Sequence, residues 1–125
     1  LTSNTTYKLQ VDGSFAATTK SFLIKHPSKP EMFLQHGVLE GPEHGVYVRG
    51  RTTERSIILP DYWANLVDES TITVQLTPIG KSQNLIVNYT SIRGIIIENT
   101  SGDSVDCYYF IQAERKDIPK LQVEI

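Results

Sequence analysis

From Ser21 onward, short apolar runs recur at intervals of roughly ten residues. They fall at 22–24, 33–39, 46–49, 56–59, 71–76, 85–87, 93–98, 105–113 and 121–125, separated by Gly, Pro, Asn, Asp and Ser. Runs this short, closed this regularly by turn-forming residues, leave little room for helix and specify strands folded back on one another in a sandwich or barrel. The clearest pattern lies at 71–77, where Ile72, Val74 and Leu76 alternate with Thr71, Thr73, Gln75 and Thr77. A period of two sets the aliphatic side chains against a core and the hydroxyl and amide side chains in water. Ile95, Ile96 and Ile97 are apolar at consecutive positions, as are Tyr108, Tyr109, Phe110 and Ile111. That predicts strands covered on both faces and, in so small a domain, an oligomer. One short helix is expected at 62–67, where Asp61 follows Pro60 as a candidate N-cap and Trp63 and Leu66 share a side.

The chain has 125 residues, the size of one domain. Residues 1–20 are polar and rich in Ser and Thr, with one alternating patch, Tyr7, Leu9 and Val11, stopped by Asp12 and Gly13. The patch predicts one short strand that must lean on a neighbour or another chain. Residues 1–20 therefore read as a stem, and 21–125 as an all-β, antiparallel sandwich-like domain with one short helix. The chain starts at Leu1 without a basic and apolar leader, which predicts a natural N-terminus upstream or removed by processing. No apolar run approaches the roughly 18 residues a spanning helix needs, so membrane insertion is not expected.

Twelve basic against 14 acidic side chains give a net charge of −2, which argues against a nucleic-acid partner. The basic group Arg49, Arg51 and Arg55 is diluted by Glu54 and reads as a solvated face or as ion pairs across a subunit interface. His36, Glu40 and His44 are spaced four apart, as metal ligands on a helix would be. Gly37, Gly41, Pro42 and Gly45 interrupt any such helix, and no metal site is expected. There is no Gly-x-Ser-x-Gly elbow and no phosphate-cradling loop, and the single cysteine, Cys107, sits in a run that reads as a buried strand. No catalytic residue and no cofactor are therefore expected.

Two features touch carbohydrate. Sequons at Asn4, Asn88 and Asn99 suit a secreted, glycosylated domain and are equally compatible with an Asn- and Thr-rich β protein. Tyr47, Tyr62 and Trp63, with Tyr108 and Tyr109, are candidates either for stacking on a sugar or for lining the rim of a core.

The segments YKLQVDGSFAATTKSF, FLIKHP and LQHGVLEGPEHGVYVRG, followed by LPDYWANLV, ITVQLTPIG and AERKDIPKLQVEI, together resemble bacteriophage virion structural proteins. The likeness is to the C-terminal region of tail-fibre proteins of marine T4-like phages and spans nearly the whole chain. It implies the distal domain of a homotrimeric fibre or appendage in the virion, in contact with other virion proteins and with a host-surface glycan. Tyr7, Leu9, Val11 and Gly13 match the Tyr-x-Leu-x-Val-x-Gly unit that ends the shaft in that family. Within the matching motif, His36, Glu40, Gly41, Pro42, Glu43, Tyr47, Arg49 and Gly50 are expected to have interface or structural tasks. The glycines would permit turns or close approach, Pro42 would fix chain direction, and Glu40 or Glu43 would pair with Arg49 or Arg51. The alternatives are an autoproteolytic or glycan-cleaving domain associated with a fibre, and a secreted carbohydrate-binding module.

Overall fold

In the computed structural model, which describes residues 7–125, regular structure begins at Ser21. β1 (Ser21–Lys25) pairs with β2 (Phe33–Gly37), placing Phe22 opposite His36 and Ile24 opposite Leu34. Two three-stranded sheets follow. In the first, β8 (Cys107–Glu114) lies between β3 (Gly45–Thr52) and β5 (Thr73–Pro78). In the second, β7 (Gly94–Asn99) lies between β4 (Ser56–Ile58) and β6 (Leu85–Thr90). All these pairings are antiparallel. The architecture is the all-β, sandwich-like one that the spacing of apolar runs specifies.

The core forms between the two sheets. Val46, Cys107, Ile111 and Ala113 from the first meet Ile57, Ile95 and Ile97 from the second in one buried cluster, which Leu34 of β2 joins. The 72–76 alternation holds: Ile72 is buried and Val74 and Leu76 are half-buried, whereas Thr73, Gln75 and Thr77 are exposed. Close backbone approach is built in at Gly94, where a Cβ would stand 2.9 Å from the Ile57 carbonyl oxygen. Only glycine lets β4 and β7 lie this near each other at that point.

The expected helix is present but shorter, as α1 (Trp63–Leu66). Tyr62 rather than Asp61 occupies its N-cap, and no side chain caps it; the Asp61 carbonyl instead accepts from the Ala64 N–H. Trp63 and Leu66 are fully buried, and the Trp63 indole N–H has no hydrogen-bond partner among the described residues. A 3-10 turn, Glu69–Thr71, follows, capped by the Asp68 carboxylate, which accepts from the Ser70 N–H at 3.0 Å. This turn takes Thr71 out of the strand expected from 71, and β5 starts at Thr73 instead. The Asp68 N–H donates to the Glu114 carbonyl and the Lys116 N–H to the Leu66 carbonyl, which fastens the helical connection to the end of β8.

Other sequence expectations need correction. Tyr7, Leu9 and Val11 form no strand, because no strand among the described residues pairs with them, and all three are exposed. Residues 121–125 likewise form none, and β2 stops at Gly37, short of Leu39. Within one chain, Ile96 is 36% exposed and Tyr108 56%, so the chain itself covers β7 and β8 on one face only, and the cover expected on the other face would have to come from another copy. Among the described residues no helix is long and apolar enough to cross a membrane. The Asn4 sequon lies outside the described residues.

Candidate functional site

Alternation along β8 sorts its side chains between two faces. Cys107, Ile111 and Ala113 enter the core, which leaves Tyr108, Phe110 and Gln112 on the outer face. Register then assembles neighbours around them. On one side Tyr47 stands opposite Gln112, Arg49 opposite Phe110 and Arg51 opposite Tyr108. On the other, Thr73, Gln75 and Thr77 stand opposite Gln112, Phe110 and Tyr108. The three strands thus present a three-by-three array with aromatic rings along its middle, arginines on one edge and uncharged polar groups on the other.

The Tyr47 and Phe110 rings stack with centroids 5.2 Å apart and planes 13° from parallel, a diagonal cross-strand pair that stiffens the platform. Tyr47 is 43% exposed. Arg51 donates from Nε and Nη2 to the two carboxylate oxygens of Asp106, at 2.9 and 2.8 Å. This fork fixes the guanidinium, holds the Asp106 carboxyl below the usual carboxylate range and raises the Arg51 pKa. Arg49 is exposed and has no carboxylate partner among the described residues. An open groove of about 410 Å³ runs along this face, lined by Arg49, Arg51, Gln75, Thr77, Tyr108 and Phe110. Gly50 belongs to the opposite face of β3, where its missing Cβ makes room for the Tyr109 hydroxyl; a Cβ there would stand 2.8 Å from it.

A second cavity, of about 370 Å³, adjoins Tyr47 and is lined also by His36, Tyr62, Val38 and Leu39. His36 Nε2 is 3.1 Å from the Tyr62 hydroxyl, and the His36 ring stacks on Phe22 at 5.0 Å. The Arg115 guanidinium lies 4.4 Å from the Phe22 ring centroid and is itself clamped by the Asp117 carboxylate. Burial, and then the Arg115 charge, hold the His36 pKa below its ordinary value, and burial raises that of Tyr62.

The residues singled out from sequence separate into three groups. Tyr47 and Arg49 belong to the β3 part of the array, Gly50 to the opposite face of the same strand, and Tyr47, Tyr62 and His36 border the second cavity. Trp63 is not available to a sugar: it is 0% exposed and belongs to the core. The expected pairing of Glu40 or Glu43 with Arg49 or Arg51 does not form. Glu40 accepts from Lys20 at 3.2 Å on open surface, where such a pair contributes little, and Arg51 is taken by Asp106. Gly41 has open space around it, without a positive φ, and Pro42 is exposed beside it. His36, Glu40 and His44 do not converge, and no cluster of three or more His, Cys, Asp or Glu occurs among the described residues.

Cys107 is fully buried, and burial pushes its thiol pKa up, away from the reactive thiolate. Asn99, the acceptor residue of its sequon, is buried as well, its amide engaged by four groups of the protein, whereas Asn88 is exposed and donates to Glu98. Phe110, Gln75, Thr77 and Asp106 were not among the sequence candidates. Alternation through 108–112 carried the signal for Phe110, but the consecutive aromatic positions masked it. No protein-family model, curated protein or solved structure matches the chain.

Proposed function

We propose that the chain is a structural and attachment module of a phage virion, the distal domain of a homotrimeric tail fibre or appendage, without chemistry of its own. In this reading the segment before Ser21 is stem, other virion proteins are its neighbours, and a host-surface glycan meets the outer face of β3, β8 and β5. The supporting observation is the apolar surface that one chain leaves in water. On the outer face of β4, β7 and β6, Ile58 is 85% exposed, Tyr89 61%, Ile86 44% and Ile96 36%. Register places Ile96 directly beside Tyr89 and diagonal to Ile58, so these three adjoin, while Ile86 stands opposite Glu98. Contiguous apolar patches of this kind mark association surfaces. Burying an aliphatic side chain contributes about 1.5–3 kcal/mol, and closed symmetry repeats the patch once per copy.

Light scattering over a range of concentrations tests the assembly. The expected result is a persistent mass near three times 14.1 kDa, lost on Ile58→Lys while the far-ultraviolet signature of β-structure is kept. A strictly monomeric wild-type chain overturns the trimer.

A further inference from the structure

We infer that the groove along the outer face of β3, β8 and β5 is a binding site for an acidic saccharide, a pyranose bearing a carboxylate, with Tyr108 and Phe110 as its stacking platform and Arg49 as its anion contact. The inference rests on the attachment reading above for the general nature of the ligand, and it adds the site and the charge.

Three observations converge on it. The first is an aromatic surface on the central strand: Tyr108 is 56% exposed, and the half-buried Phe110 beside it is fixed by its stack on Tyr47. A pyranose has one face of axial C–H bonds, which lies against an aromatic ring and leaves the hydroxyls at the periphery free to hydrogen-bond. The second is what stands at that periphery. Gln75 and Thr77 line one side of the groove with neutral donors and acceptors suited to sugar hydroxyls. The volume of about 410 Å³ lies within the range of about 300–1,000 Å³ usual for small-ligand sites.

The third observation selects the charge. The chain as a whole carries −2, yet the nine array positions around Tyr108, Phe110 and Gln112 contain two arginines and no acid, and the one acid in the same phase, Glu114 at the far end of β8, is paired with Lys120 at 3.0 Å. Asp106 lies at the rim and neutralises Arg51, turning that guanidinium into an oriented but satisfied group. Arg49 has no carboxylate partner among the described residues and stands one residue pair along from Tyr108 and directly opposite Phe110. A planar guanidinium at the edge of an aromatic floor matches a ring carboxylate, with two parallel N–H···O bonds in reach. One uncompensated arginine is too little for a polyanionic nucleic-acid backbone, whose binding depends on neutralising several phosphates.

The test is a titration of the full chain, followed by amide shifts in two-dimensional NMR, with trigalacturonic acid and 3′-sialyllactose as acidic probes and galactotriose and lactose as their neutral counterparts. Saturable shifts centred on Arg49, Tyr108 and Phe110 are expected with at least one acidic probe, and binding about tenfold weaker with its neutral counterpart, the effect of one charge-assisted contact. Arg49→Gln should remove that preference and Arg49→Lys should retain part of it. Tyr108→Ala, an exposed position, should weaken the acidic and neutral sugars together. No saturable shift with either acidic probe overturns the site, and so does an acid preference that survives Arg49→Gln. Protection of these same amides by a second copy of the chain overturns it as well. The mass of the same sample separates the two readings: a trimer without saccharide shifts leaves the assembly standing and removes the site, and a monomer with them does the reverse.

Discussion

Asn99→Ala should destabilise the domain by about 2–4 kcal/mol although the side chain is small and lies at the end of a strand. Asn99 is 6% exposed, and its carboxamide joins three pieces of chain. Its Oδ1 accepts from the Asn84 N–H at 3.1 Å, from the Ser101 N–H at 3.1 Å and from the Ser101 hydroxyl at 2.6 Å, while Nδ2 donates to the Ser104 carbonyl at 3.1 Å. A hydrogen bond contributes about 0.5–1.5 kcal/mol net, and alanine removes all four at once. Asn84, Ser101 and Ser104 are exposed residues, so water restores part of their bonding; this places the loss in the lower half of the additive range. Urea unfolding followed by fluorescence of the sole tryptophan, Trp63, measures the change at fixed protein concentration. The midpoint should fall with the slope unchanged. Asn88→Ala is the matched control, an exposed sequon asparagine with one bond to Glu98, and should lie within about 0.5 kcal/mol of wild type. A loss below about 1 kcal/mol for Asn99→Ala would refute the view that this side chain closes the turn, since the bonds would then be worth no more than their replacement by water.

Two further outcomes follow from other contacts. Gly94→Ala drives a methyl to 2.9 Å from the Ile57 carbonyl oxygen, a backbone atom held in the β4–β7 ladder, and should cost about 1–3 kcal/mol in the same unfolding assay; an unchanged midpoint would mean that β4 yields without penalty. His36 holds its proton less tightly in the folded chain than its ordinary pKa of 6.5, so below that pH the unfolded state binds the extra proton and stability falls as pH drops toward the folded-state value, with no contribution from this group above 6.5. Midpoints measured between about pH 5 and 8 should fall on the acid side for wild type and fall less for His36→Gln; equal acid slopes in the two proteins would remove His36 as the cause.

The parts of the fold that could be read from the chain are those where one physical effect dominates. Alternation of Ile72, Val74 and Leu76 with polar residues fixes which face of β5 is buried, and tertiary packing has no competing demand there. The start of that strand was not legible, because the Asp68 cap turns Glu69–Thr71 into a 3-10 turn, a local contest between a side-chain acceptor and the ladder. Tyr7, Leu9 and Val11 show the opposite limit. Their alternation is a real strand signal, but a strand exists only where another strand offers its backbone groups, and within the described chain none does.

For the candidate site the obstacle is different in kind. Tyr47, Arg49, Arg51 and Tyr108 were all visible as residue types, but their meaning depends on which neighbour each one finds. Glu40 and Glu43, nine and six residues from Arg49, were its plausible partners in sequence; the fold gives Glu40 to Lys20 and sends Asp106, 55 residues from Arg51, to that guanidinium instead. Arg49 is left uncompensated by that exchange, and nothing within its own segment announces it. Register does the rest: shifting β8 by one residue against β3 would put Tyr109 and Ile111 outward and bury Phe110, and the aromatic floor would vanish. Register is fixed by the apolar side of the same strand, since Cys107, Ile111 and Ala113 can reach the core in only one phase. The outer array is therefore a by-product of core packing as far as its geometry goes, and what distinguishes it is its composition, three aromatics and two arginines without an acid, on a face that the core leaves free to vary.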